Sequence, residues 1–310
     1  MRFNIVIPTH CRCKLLKRTL TSLANAIRPE GFEHVIVIEN GSNDGANNIC
    51  KQFSNELPLI YKHQIQSGKG RALQSVMEEL KNGFALCLDD DVRVCSALLT
   101  NYSAAIQQHG AGYIYGGPLL IDYEVEPKKW LIKHLPNSVL GWSPTDQAIP
   151  YLKKGFFLGA NFGAFVEDIL AVGGFLADLG PGSHIEGTEG NPTGLELEIQ
   201  TRLQEAGGKR YYVQNAKVWH FVSHDRCTPS WALHRSYRNR IYKGYLAGKN
   251  KPNAAKCWYG IPKNLWIRYP GYALLALIAN FIPVAQYRFK LKRDFYKLRG
   301  QIKGYQLARR

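Results

Sequence analysis

Three aspartates, Asp89-Asp90-Asp91, stand directly after the apolar run Phe84-Ala85-Leu86-Cys87-Leu88. Adjacent carboxylates at the end of a buried strand repel one another and need a cation or basic groups to neutralise them. Hard oxygen ligands suit Mg²⁺ or Mn²⁺. Alternate residues of an extended chain point the same way, so Asp89 and Asp91 can share one ion while Asp90 turns elsewhere. A solvated acidic turn or a helix cap would use the same residues, but the wholly apolar strand before them favours the metal. A second group, Ser67-Gly68-Lys69-Gly70-Arg71-Ala72, opens a helix. Glycines there let backbone N–H groups approach a phosphate, and Lys69 and Arg71 add positive charge; an ordinary helix start has the same composition. Glu196 and Glu198 follow Gly194 in a first helical turn. They either complement the helix dipole or supply a general base. His220 ends the run Val218-Trp219-His220, where an imidazole serves as metal ligand, phosphate donor or structural residue.

These residues need a scaffold, and the apolar patterning supplies one. Residues 3–7, 35–38, 59–61 and 84–88 are apolar runs of strand length. Between them, Leu16, Leu20, Leu23 and Ile27 recur at helical spacing over 15–27, and helices are also predicted over 46–53 and 70–81. Strands alternating with helices argue for a mostly parallel, helix-covered α/β sheet. Such sheets bind ligands beyond the carboxyl ends of their strands. The unusual polar residues fall there: Pro8-Thr9, the turn Glu39-Asn40-Gly41-Ser42-Asn43-Asp44-Gly45, and Asp89 to Asp91. Further on, a Gly/Pro-rich loop over 180–194 leads into a helix over 195–206 and strands at 211–213 and 218–220.

Taken in order, these segments resemble the inverting glycosyltransferases of family two, which have the GT-A fold. The resemblance covers roughly residues 2–245. Ile5-Val6-Ile7-Pro8-Thr9 is similar to the family's opening strand, and Glu39-Asn40-Gly41-Ser42-Asn43-Asp44-Gly45 to its D-N-G-S-x-D-G turn. Lys69-Gly70-Arg71-Ala72-Leu73 resembles its G-x-A-x-A-x-N region, and Leu88-Asp89-Asp90-Asp91-Val92 its DXD motif. Gly173-Gly174-Phe175 with Leu179-Gly180 is similar to its G-G-F-D-x-x-L-G segment. Leu195-Glu196 through Arg202-Leu203 and Ala206-Gly207 resembles its E-D-x-x-x-x-x-R-L-x-x-A-G segment.

The resemblance implies a GT-A domain over residues 1–225, a mostly parallel sheet with flanking helices, followed by a basic, aromatic helical extension over 226–310. It puts Pro8, Thr9, Glu39 and Asp44 at the nucleotide base and ribose, with Lys69, Arg71 and Asp90 also at the donor. Asp89 and Asp91 are implied to hold Mn²⁺ or Mg²⁺, with His220 where some members have a metal or diphosphate contact. Glu196 takes the place of the catalytic base, with Glu198 as the alternative. Glu39 stands where Asp is usual, and Leu195-Glu196 replaces an acidic pair. The implied activity is transfer of a sugar from a nucleotide-diphosphate donor, a UDP-sugar, to a hydroxyl of a glycan or lipid-linked acceptor with inversion, in cell-surface polysaccharide or glycoconjugate synthesis.

Charge separates the chain into two parts. Residues 1–207 have a net charge of −4, whereas residues 208–310 carry +20, with Asp225 and Asp294 their only carboxylates. The run His234-Arg235-Ser236-Tyr237-Arg238-Asn239-Arg240 suits a diphosphate or an anionic acceptor. Residues 271–285 are nearly all apolar but are fewer than the roughly 20 a spanning helix needs, and Pro283 interrupts them. After them, Tyr287, Leu291, Phe295, Leu298, Ile302 and Tyr305 form an apolar stripe on a basic helix. Together they predict an anchor for an anionic membrane surface through 270–310, and a peripheral location on the cytoplasmic face. The alternative is a core helix with a solvated tail.

Two other functions remain on the sequence alone. A sugar-phosphate nucleotidyltransferase would want a Gly-rich basic loop after the first strand, where Pro8-Thr9-His10-Cys11-Arg12 stands instead. A basic nucleic-acid-binding protein gives no role to Asp89–Asp91 and lacks a recognition motif, so no nucleic acid is expected as partner. The 45% hydrophobic content excludes a mainly disordered chain. Seven scattered cysteines without a CxxC pair indicate neither a disulfide framework nor a zinc knuckle. Residues 3–7 are too short for a signal peptide's apolar core and run into Pro8, so they read as a strand.

Overall fold

Short apolar runs alternating with helical stripes fold, in the computed structural model of the chain, into strands and helices close to those the pattern predicts. The structure describes residues 1–143, 155–182, 194–249 and 256–309. The part of the Gly/Pro-rich loop over 183–193 lies outside these described residues. The described chain divides into two compact units, the first of residues 1–122, 137–143, 155–182 and 194–221, the second of 123–136, 222–249 and 256–309.

In chain order the elements begin with β1 (Phe3–Thr9), α1 (Cys13–Ala24), β2 (Phe32–Asn40), α2 (Ala46–Gln52), β3 (Leu59–Gln64), α3 (Lys69–Leu80) and β4 (Phe84–Cys87). Then come β5 (Val92–Val94), α4 (Leu98–His109), β6 (Tyr113–Gly116) and β7 (Leu119–Tyr123). After α5 (Lys129–Ile132), in the second unit, follow α6 (Asn137–Leu140), β8 (Phe162–Phe165), α7 (Val166–Ala171), α8 (Leu195–Glu205), β9 (Lys209–Tyr212) and β10 (Val218–Val222).

The central sheet of the first unit has the order β3-β2-β1-β4-β8-β6-β9. Its pairs β1/β2, β2/β3, β1/β4 and β6/β9 are parallel, whereas β8 runs antiparallel to β4 and β6. Every residue of β1 is buried, as a strand covered on both faces requires. Helix α1 turns Leu16, Leu20 and Leu23 into the core, as their spacing predicts. It ends at Ala24 rather than continuing to 27, and Ile27 is exposed. Around Phe84 the rings of Phe3, Tyr102, Tyr115 and Phe165 pack with centroids 5.3–6.1 Å away.

The second unit is largely helical. It contains α9 (Pro229–Lys249), a hairpin of β11 (Cys257–Trp258) and β12 (Ile261–Pro262), α10 (Lys263–Ile278) and α11 (Ala285–Leu307). Helices α9 and α11 lie together along glycine notches that the sequence pattern did not suggest. Gly244 and Gly248 of α9, and Gly300 and Gly304 of α11, are each four residues apart; Gly244 meets Gly304 and Gln301, Gly248 meets Tyr305 and Ala308, and Gly300 meets Tyr237 and Arg240. A Cβ at Gly304 would stand 2.1 Å from the Ile241 carbonyl oxygen, and one at Gly300 2.3 Å from that of Tyr237. Packing of α11 against β12 and α10 covers part of the predicted amphipathic stripe. Leu298, Ile302 and Tyr305 are buried with Ile261 and Leu265 inside the unit. That half of the stripe is therefore core.

Gly304→Val forces backbone apart in this notch and should cost about 1–3 kcal/mol of stability in chemical denaturation. Gly271→Ala meets no atom within 4 Å in helix α10 and should be neutral or stabilising, by up to about 1 kcal/mol. Equal stabilities for the two variants would contradict the notch.

Candidate active site

From β1 the sheet proceeds through β2 and β3 on one side and β4 on the other, so its order reverses between β1 and β4. A crevice opens beyond the carboxyl ends of strands at such a reversal. Thr9 ends β1, Glu39 and Asn40 end β2, and Asp89 to Asp91 follow β4. The predicted site residues meet at this edge because parallel pairing aligns their strand ends, with Thr9 opposite Glu39.

Asp89, Asp91 and His220 come together, their ligand atoms all within 4.8 Å of one another. His220 arrives from far along the chain because β10 pairs antiparallel with β5, setting His220 opposite Val92. The Phe221 N–H donates to the Asp91 carbonyl (2.8 Å), and His220 Nε2 lies 3.2 Å from Asp91 Oδ1. Two carboxylates and an imidazole are a donor set that fits a hard or borderline divalent cation such as Mn²⁺. Asp90 turns away from this cluster. It is buried and accepts hydrogen bonds from the Thr9 hydroxyl (2.8 Å) and from Arg12 (3.1 Å), which also donates to Asp91 (2.9 Å). Burial raises the Asp90 carboxyl to about 6, with Arg12 opposing the shift and Asp91 adding to it. Burial lowers the Arg12 pKa, but Asp90 and Asp91 more than compensate and the net shift is upward. Below these residues the Thr19 hydroxyl lies 2.8 Å from the Asp90 and Val92 carbonyls and accepts from the Val92 N–H, fixing the turn.

Lys69 links the acidic turn to α8. Its Nζ donates to Asp89 Oδ1 (2.6 Å) and Glu196 Oε1 (2.9 Å), with 12% of its side chain exposed. Burial works against its charge, but Asp89 and Glu196 hold the ammonium above the ordinary lysine value. Glu196 lies against Gly159, where a Cβ would stand 2.2 Å from Glu196 Oε1. One turn on, the buried amide of Gln200 bonds both the N–H and the carbonyl of Phe157, holding α8 to that segment (2.8 and 2.9 Å). Glu198 faces elsewhere. Both its oxygens accept from Arg202 (2.6 Å each), which also donates to the carbonyls of Gly174 (2.6 Å) and Val172. It is a structural pair that ties α8 to the Gly173-Gly174 turn.

The start of α3 differs from the predicted phosphate cradle. The Gly68 N–H donates to Asn40 Oδ1 (2.7 Å) and the Lys69 N–H to the Pro181 carbonyl (2.8 Å), so both amides have protein partners. Gly70 serves packing, since a Cβ there would stand 2.0 Å from the Leu176 carbonyl oxygen. Arg71 is half-buried and reaches Asp178 at 3.6 Å. Glu39, 0% exposed, accepts from the Asp44 N–H (2.6 Å), the Ser42 hydroxyl (3.2 Å) and the Tyr61 hydroxyl (2.6 Å). It shapes the turn that leaves Asp44 exposed; Pro8 beside Thr9 is buried. Arg12, Thr19, Tyr61 and Gly159 were not singled out by sequence, and Asn40 only as part of its turn. Arg12 offered the one signal, a cation three residues beyond Thr9 at a strand end.

A sheet of this order, with carboxylates and an imidazole at its switch point, defines the α/β class with the GT-A fold. Residues 4–170 match the Glycosyl transferase family 2 model, and the chain belongs to that family. Poly(ribitol-phosphate) β-N-acetylglucosaminyltransferase TarS of Staphylococcus aureus (strain Mu50 / ATCC 700699) is 26% identical over 111 residues, 35% of this chain and 19% of that relative's length. The mannosyltransferase PcManGT of Pyrobaculum calidifontis, solved with GDP-Man and Mn²⁺, shares the fold with a TM-score of 0.58 at 15% identity, over 98% of this chain and 86% of that one. GalNAc-T7, solved with UDP, GalNAc and Mn²⁺, gives 0.55 at 15% identity over 80% of this chain and 50% of that one. Residues 1–349 of S. aureus TarS give 0.53 at 13% identity over 100% of this chain and 90% of that one.

Thr19→Val keeps the shape of a fully buried side chain but strands the Val92 N–H, and should cost about 1–3 kcal/mol in equilibrium denaturation. Thr19→Ser should recover most of the loss. No loss in Thr19→Val would mean that the hydroxyl does not hold the acidic turn.

Proposed function

We propose that this glycosyltransferase moves a sugar from a UDP-sugar to a hydroxyl of a glycan or lipid-linked acceptor with inversion, using Mn²⁺ or Mg²⁺. The observation that carries this reading is the Lys69 bridge, 2.6 Å to Asp89 and 2.9 Å to Glu196. It ties the expected metal ligands and the expected base into one cluster. Support for the ion comes from the Asp89, Asp91 and His220 donor set and from fold relatives solved with Mn²⁺. GDP-Man in one of those relatives and UDP in the other support a nucleotide-diphosphate donor.

In this reading Asp89, Asp91 and His220 hold the ion, and Pro8, Thr9, Glu39, Asp44, Lys69, Arg71 and Asp90 build the nucleotide site. Glu39 acts through the turn that it braces. A bound divalent ion supplies positive charge beside the diphosphate as the bond to the sugar breaks. Lys69 adds a second cation there. Glu196 accepts the proton of the acceptor hydroxyl as its oxygen bonds to the anomeric carbon from the face opposite the departing diphosphate, which inverts that centre. Glu198 is excluded as the base in this account, because Arg202 occupies both its oxygens. We further propose that residues 1–225 act as the catalytic domain and that 226–310 bring it to the anionic cytoplasmic face of a membrane, in polysaccharide or glycoconjugate synthesis.

A screen of nucleotide sugars with Mn²⁺, read by nucleoside diphosphate release, tests this directly. No donor bound or turned over would overturn it. Asp91→Ala should abolish metal-dependent donor binding. Glu196→Gln should keep donor binding and lose transfer by about 10²–10⁴-fold. Glu198→Gln should lower thermal stability and retain transfer; the reverse pattern in the two glutamine variants would move the base to Glu198.

A further inference from the structure

The second unit carries an apolar surface that its own packing leaves uncovered. On α10, Leu265 faces inward against Leu298, Ile302 and Tyr305. Ile267, Leu274 and Ile278 recur at helical spacing on another face and are exposed, as are Leu275 and Leu277. Exposure reaches 68% at Ile267 and 63% at Leu277. The turn after the helix continues the surface, with Phe281 87% exposed and Val284 and Tyr287 more than half exposed or close to it. A helix that is apolar on its outer as well as its inner side is not built to face water.

We propose that the outer face of α10 and the turn through Tyr287 are the docking surface for an anionic lipid bilayer, lying in its interface. This rests on the reading of the extension as membrane-associating and assigns that role to a surface other than the α11 stripe, half of which is core. Charge selects the occupant. Residues 269–287 contain no charged side chain, whereas Lys263 and Arg268 precede them and Arg288 and Lys290 follow. Across 256–309 the only carboxylate is Asp294, against eleven Lys and Arg. Apolar side chains bounded by cations match acyl chains beneath anionic headgroups. A second copy would set the same cations against one another, and a soluble polyanion would leave the leucines and Phe281 without a partner. The contact is shallow. The 16 residues of α10 span about 24 Å, short of the roughly 30 Å hydrocarbon core. No described helix is long and apolar enough to cross a membrane.

The test sediments the full chain with phosphatidylcholine vesicles, with and without phosphatidylglycerol, beside the triple variant Leu274→Ser, Leu277→Ser, Phe281→Ser. All three side chains are exposed, so the thermal midpoint should hold; if it falls, Phe281→Ser alone repeats the comparison. The wild type should sediment with the anionic vesicles, and the triple variant should partition about tenfold or more weakly. Equal sedimentation of the two would overturn this surface while leaving membrane association standing. Failure of the wild type to sediment would overturn both. A wild-type dimer that the triple variant dissolves, with vesicle binding unchanged, would assign the face to a second copy and overturn the proposal. Retention on immobilised polyphosphate without vesicle binding would overturn it in favour of a polyanion.

Discussion

Three consecutive carboxylates at the end of a buried strand impose the strictest demand on this molecule. An unpaired buried charge costs several kcal/mol, and Asp90 and Asp91 are buried. The three aspartates draw their compensation from several elements, and Asp90 and Asp91 share Arg12. Asp90 takes Thr9 from β1 and Arg12 from the loop before α1, Asp91 takes Arg12 and His220 from β10, and Asp89 takes Lys69 from α3. The helix α1 holds the turn itself through Thr19. Compensation is incomplete at Asp90, where burial outweighs Arg12 and raises the carboxyl to about 6. The first unit can be understood as the arrangement that makes such a turn tolerable while leaving two carboxylates and an imidazole within reach of one cation.

Lys69 makes the acidic turn and the α8 carboxylate interdependent. One ammonium satisfies Asp89 and Glu196 together, so whatever displaces it from one carboxylate changes what the other faces. Close approach is a precondition for the arrangement. Gly159 leaves space for the Glu196 carboxylate, and Gly70 lets α3 abut the backbone at Leu176. A side chain at either position would push apart elements whose separation sets the site.

In the second unit one stretch of sequence serves two kinds of packing. Glycines spaced four apart on α9 and α11 bring two basic helices to backbone contact, while α11 buries Leu298, Ile302 and Tyr305 against Ile261 and Leu265 despite the density of charge beside them. Long cationic side chains can lie along the outside of such a pair with their charged ends in water. The residue types in 271–287 do not separate a core helix from an interfacial one, since both are apolar. Their exposure in the folded unit shows that Leu274, Leu277 and Phe281 are not core.

The strands β1 to β4 and the helices between them were legible from apolar spacing, because burial on one or both faces imposes a period on each element. The chemistry of Asp89 and Asp91 was legible as well, since adjacent carboxylates after an apolar strand have few inexpensive environments. Local sequence does not encode which distant group meets them. His220 reaches Asp91 only through the register of β10 on β5, Arg12 contacts two of the aspartates, and Lys69 joins Asp89 to Glu196. In the sequence Glu196 and Glu198 are two carboxylates in one helical turn, and the family resemblance favours Glu196 with Glu198 as the alternative. The fold gives them different surroundings, because Arg202 lies one turn beyond Glu198 and donates to both its oxygens and to the Gly174 carbonyl, whereas Glu196 accepts from Lys69. Sequence alone determined the elements and the reactive residue types, through local periodicity and charge. The tertiary structure decided which of them act on one another, because pairing of charges and close approach of backbones depend on distances that only the packed chain defines.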